Sequence, residues 1–195
     1  MTSVPLRLRR RARSKPYSSE GAFRRLFNAT HPIVFRYVYG LLGGPRQEVE
    51  DIVADTFLKA WQARDRFEGD RQAAVRWLLT IARNEAIDRF RAQQHAAGIT
   101  WLEDVEFASS DLSPEQQVIE NEQWQQLQAI VQTLNERQRE IIVLRYVLGW
   151  KVKHIAEHLE MAENTVSANL RRILQQMQTE VQNQEEVAHG QRVSS

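Results

Sequence analysis

The chain has 195 residues, of which 42% are hydrophobic and 26% are charged, and its formal net charge at pH 7 is only +1. This composition is typical of one or two small globular domains and excludes a wholly disordered chain. The chain contains no cysteine, which excludes disulfides, cysteine-ligated zinc, iron–sulfur clusters and thiol nucleophiles.

The first part of the chain combines a basic arm with a helical bundle. Residues 1–25 contain 8 Lys or Arg and 1 acidic residue, and the arm is assigned to residues 1–21. The period of the apolar residues predicts three helices, over residues 23–42, 47–64 and 72–93. Pro32 is expected to kink the first helix or to start a second piece, and Gly43 is expected to end it. Three long helices joined by short turns predict a compact bundle over residues 22–94.

The second part of the chain is predicted to be a linker, a second helical domain and a tail. Residues 95–126 carry 7 acidic residues and no Lys or Arg, and residues 95–112 lose the helical period, as a flexible linker does. Ser113-Pro114-Glu115 combines an N-cap, a first-turn proline and an acidic first turn, so a new helix is predicted there. This domain is assigned to residues 113–178, and the polar tail, residues 179–195, is expected to fray.

No strand pattern occurs, so the predicted fold class is all-α, with two small helical domains joined by a flexible acidic linker. The small net charge is a cancellation between a basic arm and an acidic middle. No apolar run approaches the roughly 20 residues of a membrane-spanning helix, and no signal-peptide pattern is present. We therefore expect a cytoplasmic protein without direct membrane insertion.

The C-terminal domain has the pattern of a helix-turn-helix over residues 152–174. Small Ala156 allows two helices to cross closely, and the second helix presents polar and basic side chains, among them Asn164 and Arg171, that fit a DNA major groove. Glu160 stands in the turn where the left-handed backbone favours glycine, at a cost of about 1 kcal/mol. A plain helical hairpin, with these residues on its surface, is the alternative.

The third helix carries an imperfect polar stripe beside Trp77. Its members are Arg76, Thr80, Arg83, Asn84, Asp88 and Arg91. Arginines for phosphates, an amide and a carboxylate for base edges, and an aromatic ring for stacking are the groups that hold an exposed DNA strand. A solvated helix face with intrahelical pairs, such as Asp88 with Arg91, is the alternative.

Several ordered motifs carry a resemblance to a known family. The motifs are Glu48 to Trp61 (EVEDIVADTFLKAW), Trp77 to Asn84 (WLLTIARN), Leu134 to Glu140 (LNERQRE) and Ile155 to Leu159 (IAEHL). The first two resemble region 2, and the last two resemble region 4, of the extracytoplasmic-function sigma factors of bacterial RNA polymerase. Together the similar segments cover residues 22–94 and 112–178, in the order of the family.

The resemblance implies a sigma factor that directs promoter-specific transcription initiation together with core RNA polymerase. The positions that match the family's contact with the clamp helices of the largest subunit are Asp51, Asp55, Leu58 and Trp61. Ala54 replaces a glutamine that is frequent in the family, which puts one polar contact in doubt. The resemblance further implies contact of region 4 with the flap of the second subunit, and it is compatible with an anti-sigma factor that masks both domains.

The resemblance also implies two promoter-binding sites. The residues that match the family's minus-ten site are Phe67, Arg71, Arg76, Trp77, Asn84, Asp88 and Arg91. The residues that match its minus-thirty-five site are Glu163, Asn164, Thr165, Ser167, Asn169, Arg171 and Arg172. Because Ser167 and Asn169 replace basic residues that are common in the family, weaker or altered promoter reading is expected.

Two other classes of function compete with this interpretation. A helix-turn-helix regulator that acts without polymerase would use the first domain for sensing or dimerisation. An enzyme would have to use His154 and His158, four residues apart, or the carboxylates of Asp51 and Asp55. The histidine pair lacks a third ligand, so both are expected to be surface residues. No catalytic residue, metal or cofactor is predicted.

Overall fold

The computed structural model describes residues 15–96, 130–131 and 133–193, with the side chains of residues 15–89, 130–131 and 133–182. Every regular element in these ranges is a helix: α1 (Glu20–Leu42), α2 (Arg46–Ala63), α3 (Arg71–Ala96), α4 (Glu136–Ile142), α5 (Val152–Leu159) and α6 (Glu163–Val193). A 3-10 turn, Arg64–Arg66, follows α2, and a π-helical turn, Val143–Val147, follows α4. The predicted all-α class is confirmed.

Local capping explains where α1 begins and ends. The Ser19 hydroxyl accepts a hydrogen bond from the Ala22 N–H at 3.3 Å, which satisfies one of the free donors of the first turn. Gly43 ends the helix with a left-handed φ of 60°, and its N–H donates to the Tyr39 carbonyl. Pro32 lies inside α1, so it does not start a second helix.

The helices α1, α2 and α3 pack on one another as the predicted bundle. Asp70 begins α3 by accepting a hydrogen bond from the Ala73 N–H at 2.8 Å. The largest fully buried apolar side chains of this bundle are Val34, Tyr37, Val38, Val49, Ile52, Leu78 and Leu79. In α1, Tyr37 and Val38 follow Val34 by three and four residues, and in α2, Ile52 follows Val49 by three, which is the spacing from which the sequence predicts these helices.

The second domain is built from α4, the π-helical turn, α5 and α6. Asn135 and Gln138 form a reciprocal capping box at the start of α4, with distances of 2.9 Å and 3.1 Å between the paired atoms. A π-helical turn widens the backbone after Ile142, and within it Tyr146 is 58% exposed while Val143 and Leu144 are buried. Tyr146 is therefore a surface residue, whereas the sequence pattern places it in one apolar helix stripe with Ile141, Ile142 and Leu144.

The turn between α5 and α6 has the predicted left-handed residue. Glu160 has a φ of 53°, and in the described residues it is the one non-glycine with positive φ. The helix α6 continues to Val193, so the backbone of the tail from residue 179, expected to fray, is helical. Its glutamine and glutamate residues favour this continuation because they are good helix formers.

The two helical domains pack against each other along the C-terminal half of α1. This half of α1 contacts α4 and the π-helical turn, and the buried apolar residues of both domains form one continuous cluster. Residues 97–112 of the assigned linker lie outside the described residues, whereas residues 95 and 96 are the last two of α3. The helix predicted from Ser113 also lies outside them apart from its end, where Ile130 and Val131 are helical and buried.

Candidate nucleic-acid interface

The outer face of α2 carries three of the four residues predicted to bind a protein partner. Asp51, Asp55 and Leu58 follow one another at four- and three-residue steps, and all three are exposed. Leu58 is 55% exposed, so it adds apolar area to this otherwise acidic face. Trp61 is half-buried instead, with its ring 5.1 Å from that of Phe23, so it forms the edge of this face.

The loop before α3 is packed from within by aromatic rings. Phe67 stacks on Trp77 with ring centroids 4.8 Å apart, and it also lies 5.7 Å from the ring of Tyr17. Because Phe67 is only 9% exposed, its ring supports the loop rather than facing solvent. Gly69 completes this packing, since a Cβ there would lie 2.8 Å from the Ala73 Cβ.

The residues of α3 that are predicted to bind a DNA strand lie in two sets on different sides of the helix. Trp77, Asn84 and Asp88 share one stripe at seven- and four-residue spacing, and the last two are exposed. Arg76 lies about a quarter turn from this stripe, on the side that faces the second domain. Arg71 is exposed at the first position of α3. Arg91 lies on α3 beyond the residues whose side chains the structure describes.

A basic cleft separates the start of α3 from the second domain. The cavity has a volume of about 270 Å³, and its walls include Arg36, Arg71, Arg76, Trp150 and His154. Two of these arginines belong to the set predicted for the minus-ten strand. The cleft therefore concentrates positive charge beside the exposed stripe of α3, as a site for a phosphate backbone requires.

The helix α6 turns a polar face away from the core. Val166, Leu170 and Ile173 are buried, and Asn164 and Arg171 lie on the opposite face. The remaining predicted residues occupy the flanks: Glu163 and Ser167 on one side, and Thr165, Asn169 and Arg172 on the other. The Asn169 amide donates a hydrogen bond to the Thr165 carbonyl at 2.8 Å, so it is already engaged with its own helix.

Two arginines of α3 form ion pairs with the second domain. Arg83 Nε donates a hydrogen bond to Glu140 Oε2 at 2.9 Å, and Arg76 Nη1 lies 4.0 Å from Glu157 Oε2. The sequence does not reveal these pairs, because nothing in either helical pattern indicates which face of one domain meets the other. The basic side of α3 is thus in contact with acidic residues of the helix-turn-helix domain.

His158 lies inside this contact and is not the surface residue that the sequence predicts. Its side chain is only 4% exposed, and its ring packs edge-on against Trp150 at 5.4 Å between centroids. Burial lowers the pKa of His158 to about 4, and the nearby guanidinium of Arg76 acts in the same direction.

Within the described residues, no three His, Asp or Glu side chains converge as a metal ion would require. No helix in those ranges has the length and apolar character for a bilayer crossing.

Two family models match the chain in the expected order. The family model for sigma-70 region 2 matches residues 26–96, and the model for sigma-70, region 4 matches residues 124–177. The first match covers α1 from residue 26 onward and all of α2 and α3. The second covers α4 and α5 and the first half of α6.

Curated relatives are sigma factors of the extracytoplasmic-function (ECF) type and similar proteins. BldN of Streptomyces coelicolor, an ECF RNA polymerase sigma factor, is 31% identical over 145 residues, which is 74% of this chain but 54% of BldN. The chain thus spans about half the length of that relative. The RNA polymerase sigma factor CnrH of Cupriavidus metallidurans is 30% identical over 151 residues, which is 74% of this chain and 78% of CnrH.

Solved structures have the same fold. The sigma factor RpoE in complex with the anti-sigma factor NepR, from Bartonella quintana, superposes with a TM-score of 0.64 at 23% identity, covering 82% of this chain and 96% of RpoE. CnrH in complex with the cytosolic domain of CnrY superposes with a TM-score of 0.61 at 22% identity, covering 87% of this chain and 93% of CnrH.

Proposed function

The chain belongs to the extracytoplasmic-function branch of the sigma-70 family, the promoter-specific initiation factors of bacterial RNA polymerase, and from this premise we propose which surfaces carry each step. The face of α2 binds core polymerase, α3 with its preceding loop holds the minus-ten strand, and α6 reads the minus-thirty-five element. The observation that carries the proposal is the exposure of most of the matching residues whose side chains are described, on separate helix faces of the two matched regions.

The α2 face suits a basic partner surface. Asp51 and Asp55 provide two exposed carboxylates, and Leu58 provides apolar area that is removed from water on docking. Trp61 contributes through packing, since Phe23 and Arg64 hold its ring at the edge of the face. In this assignment the clamp helices of the largest polymerase subunit cover α2, and the flap of the second subunit binds region 4.

The α3 stripe suits an unpaired strand, which the factor holds without nucleotide hydrolysis and without catalytic activity of its own. Trp77, Asn84 and Asp88 offer a partly exposed ring and polar groups for base edges, and Arg71 and Arg76 supply charge for phosphates. Extruding a base costs a few kcal/mol, which stacking and hydrogen bonds to the base must offset. Phe67 takes part by fixing the loop beneath Trp77.

The α6 face suits duplex DNA. Asn164 and Arg171 face outward for base edges, and Arg172 on the flank is placed for a phosphate. The face has few basic side chains, so the free protein binds duplex DNA weakly and depends on polymerase for affinity.

By analogy with RpoE, which is solved in complex with the anti-sigma factor NepR, we also propose control by a separate anti-sigma protein. Because core polymerase and DNA are its partners, the site of action is the cytoplasm.

A reconstituted transcription assay tests this proposal. Purified protein is added to core polymerase on a genomic template library, and transcript starts are mapped. We expect protein-dependent starts that share two sequence elements, together with co-purification with core. Palindromic duplex binding by the protein alone, without new starts, would instead support the polymerase-independent regulator.

The α2 assignment is tested by Leu58→Ala, which removes exposed apolar area without disturbing the core. We expect affinity for core polymerase to fall about tenfold, equivalent to roughly 1.4 kcal/mol. Val181→Ala is the matched control, because Val181 is also an exposed aliphatic residue but lies far along α6. Equal affinities of the two variants for core, measured by fluorescence anisotropy, would contradict the assignment.

A further inference from the structure

The contact between the two domains is centred on one buried carboxylate. The Glu140 side chain is only 1% exposed. Tyr37 Oη donates a hydrogen bond to its Oε1 at 2.9 Å, and Arg83 Nε donates to its Oε2 at 2.9 Å. Arg137, from its own helix, donates to Oε2 at 3.4 Å. Because a buried carboxylate is costly without donors, the stability of this arrangement depends on the two partners that region 2 provides.

The protonation states of the neighbouring residues favour the hydrogen bonds to Glu140. Burial raises the pKa of Tyr37 well above its usual value, and the charge of Glu140 adds to this effect, so the hydroxyl remains a donor. His158 Nε2 lies 3.9 Å from Glu140 Oε1, but its lowered pKa keeps the ring neutral at pH 7. Tyr37 and Arg83 are therefore the groups of other elements that satisfy Glu140.

The surfaces around this carboxylate also fit closely in shape. A Cβ on Gly40 of α1 would lie 2.9 Å from a Val143 methyl group, closer than real Cβ contacts are found. Next to this point, Arg139 Nη1 donates a hydrogen bond to the Leu41 carbonyl at 3.0 Å. Any side chain at position 40 would therefore hold the second domain away from α1.

The contact engages the basic side of the proposed strand-binding helix. Arg83 is paired with Glu140, and Arg76 lies near Glu157, so both guanidiniums face carboxylates of the helix-turn-helix domain. Guanidinium groups bind carboxylate and phosphate by the same charge-assisted hydrogen bonds. A DNA backbone that approaches this side of α3 must therefore compete with Glu140 for Arg83.

We propose that Glu140 is a latch that holds region 4 on region 2 in the free protein and withholds Arg83 from the promoter strand until the domains separate. Separation hydrates the carboxylate of Glu140 and frees Arg83 for phosphate. The latch rests on the proposed role of α3, and it gives the free factor a closed form with low affinity for single-stranded DNA.

Two independent variants open the latch in different ways. Glu140→Gln keeps the size of the side chain but removes the charge that Arg83 pairs with, and Gly40→Leu wedges the domains apart. Gly21→Leu is the matched control, because Gly21 lies on the same helix and a Cβ there meets only an Arg25 nitrogen at 3.8 Å. Circular dichroism checks that each variant retains its helices.

Domain separation is measured by energy transfer between two dyes. The chain has no cysteine, so Asn28→Cys on α1 and Gln176→Cys on α6, both exposed positions, are the only attachment sites. We expect transfer efficiency to fall in Glu140→Gln and Gly40→Leu and to stay at the parental value in Gly21→Leu. Parental efficiency in both opening variants, with helicity intact, would overturn the latch.

Masking of Arg83 is measured with a fluorescein-labelled single-stranded DNA of mixed sequence. We expect the opened variants to bind it about fivefold more tightly than the parent, and Arg83→Ala in the opened background to abolish this gain. Opened domains without tighter binding would overturn the masking role. If the parent and all variants fail to start transcripts with core polymerase, the proposed function itself fails, whatever the dyes report.

Discussion

At the scale of single residues, His158 illustrates how burial controls charge in this protein. Its folded-state pKa is lowered to about 4 by burial and by the guanidiniums of Arg76, Arg83 and Arg137, although Glu140 lies 3.9 Å away. In the unfolded chain the histidine pKa is about 6.5. The unfolded state therefore binds the proton more readily between these values. The contribution of His158 to stability is complete above pH 6.5 and is lost as the pH falls towards 4.

We predict that His158→Gln removes this part of the pH dependence. Between pH 7 and pH 5 the parent should lose about 2 kcal/mol of unfolding free energy more than the variant, measured by urea denaturation. His154→Gln is the control, because His154 lies on the wall of the open cleft, and it should keep the parental dependence. Parallel curves for the parent and His158→Gln would show that His158 is neutral in both states or charged in both.

At the scale of elements, the helix-turn-helix depends on a strained turn. Glu160 ends α5 with a φ of 53°, and the next N–H, that of Met161, donates to the Ala156 carbonyl at 2.9 Å. This geometry closes the last turn of α5 and sets the direction in which α6 leaves. The left-handed backbone costs a residue with a Cβ about 1 kcal/mol relative to glycine. The strain is localised in the turn between the two helices of the proposed duplex-reading unit.

We predict that Glu160→Gly stabilises the protein by up to about 1 kcal/mol, because glycine adopts this conformation without strain. Gly149→Ala tests the same physics with opposite sign. Gly149 has a φ of 68°, and a Cβ there would meet nothing within 4 Å, so the expected loss of about 1 kcal/mol comes from the backbone alone. Both changes are measured as shifts in thermal unfolding. Shifts of equal sign would contradict the role of left-handed strain.

At the scale of the whole molecule, the small net charge of +1 conceals how the charges are arranged. Acidic residues of the second domain meet arginines of α3, and the basic cleft lies at the mouth of the same contact. The closed form therefore shields part of its positive charge from solvent and from DNA. This arrangement favours a factor that gains affinity for promoters from polymerase rather than from its own field.

We predict that Arg172→Ala weakens minus-thirty-five binding by the holoenzyme while it spares core binding. If Arg172 contacts one phosphate, the slope of log affinity against log salt should become about 0.9 less steep. Arg24→Ala removes the same charge from an exposed position of α1 and is the control. An unchanged slope, or an equal loss of core binding, would contradict a phosphate contact.

Much of the fold and part of the candidate site could be predicted from the sequence. Local sequence is enough to predict the helical periodicity, the end of α1 at Gly43 and the left-handed backbone of Glu160. Each of these features depends only on residues that are close together along the chain. The same rules predict the burial of Tyr146 wrongly, because a π-helical turn changes the helical phase and the sequence carries no obvious signal of that turn. The exposure of Asp55 and Leu58 followed from the same periodicity, whereas the inward packing of Phe67 depends on Trp77, which lies in the next element.

Spacings of three or four residues along the chain are enough to establish the all-α class and the separate faces of α2, α3 and α6, and the ordered motifs indicate the two regions by resemblance. The contact between the two regions, and the hydrogen bond between Tyr37 and Glu140, 103 residues apart, follow only from the three-dimensional packing. Amphipathic patterns specify which side of a helix is buried but not which partner covers it. That choice depends on the fit of Gly40 to Val143 and on the donors available to one buried carboxylate.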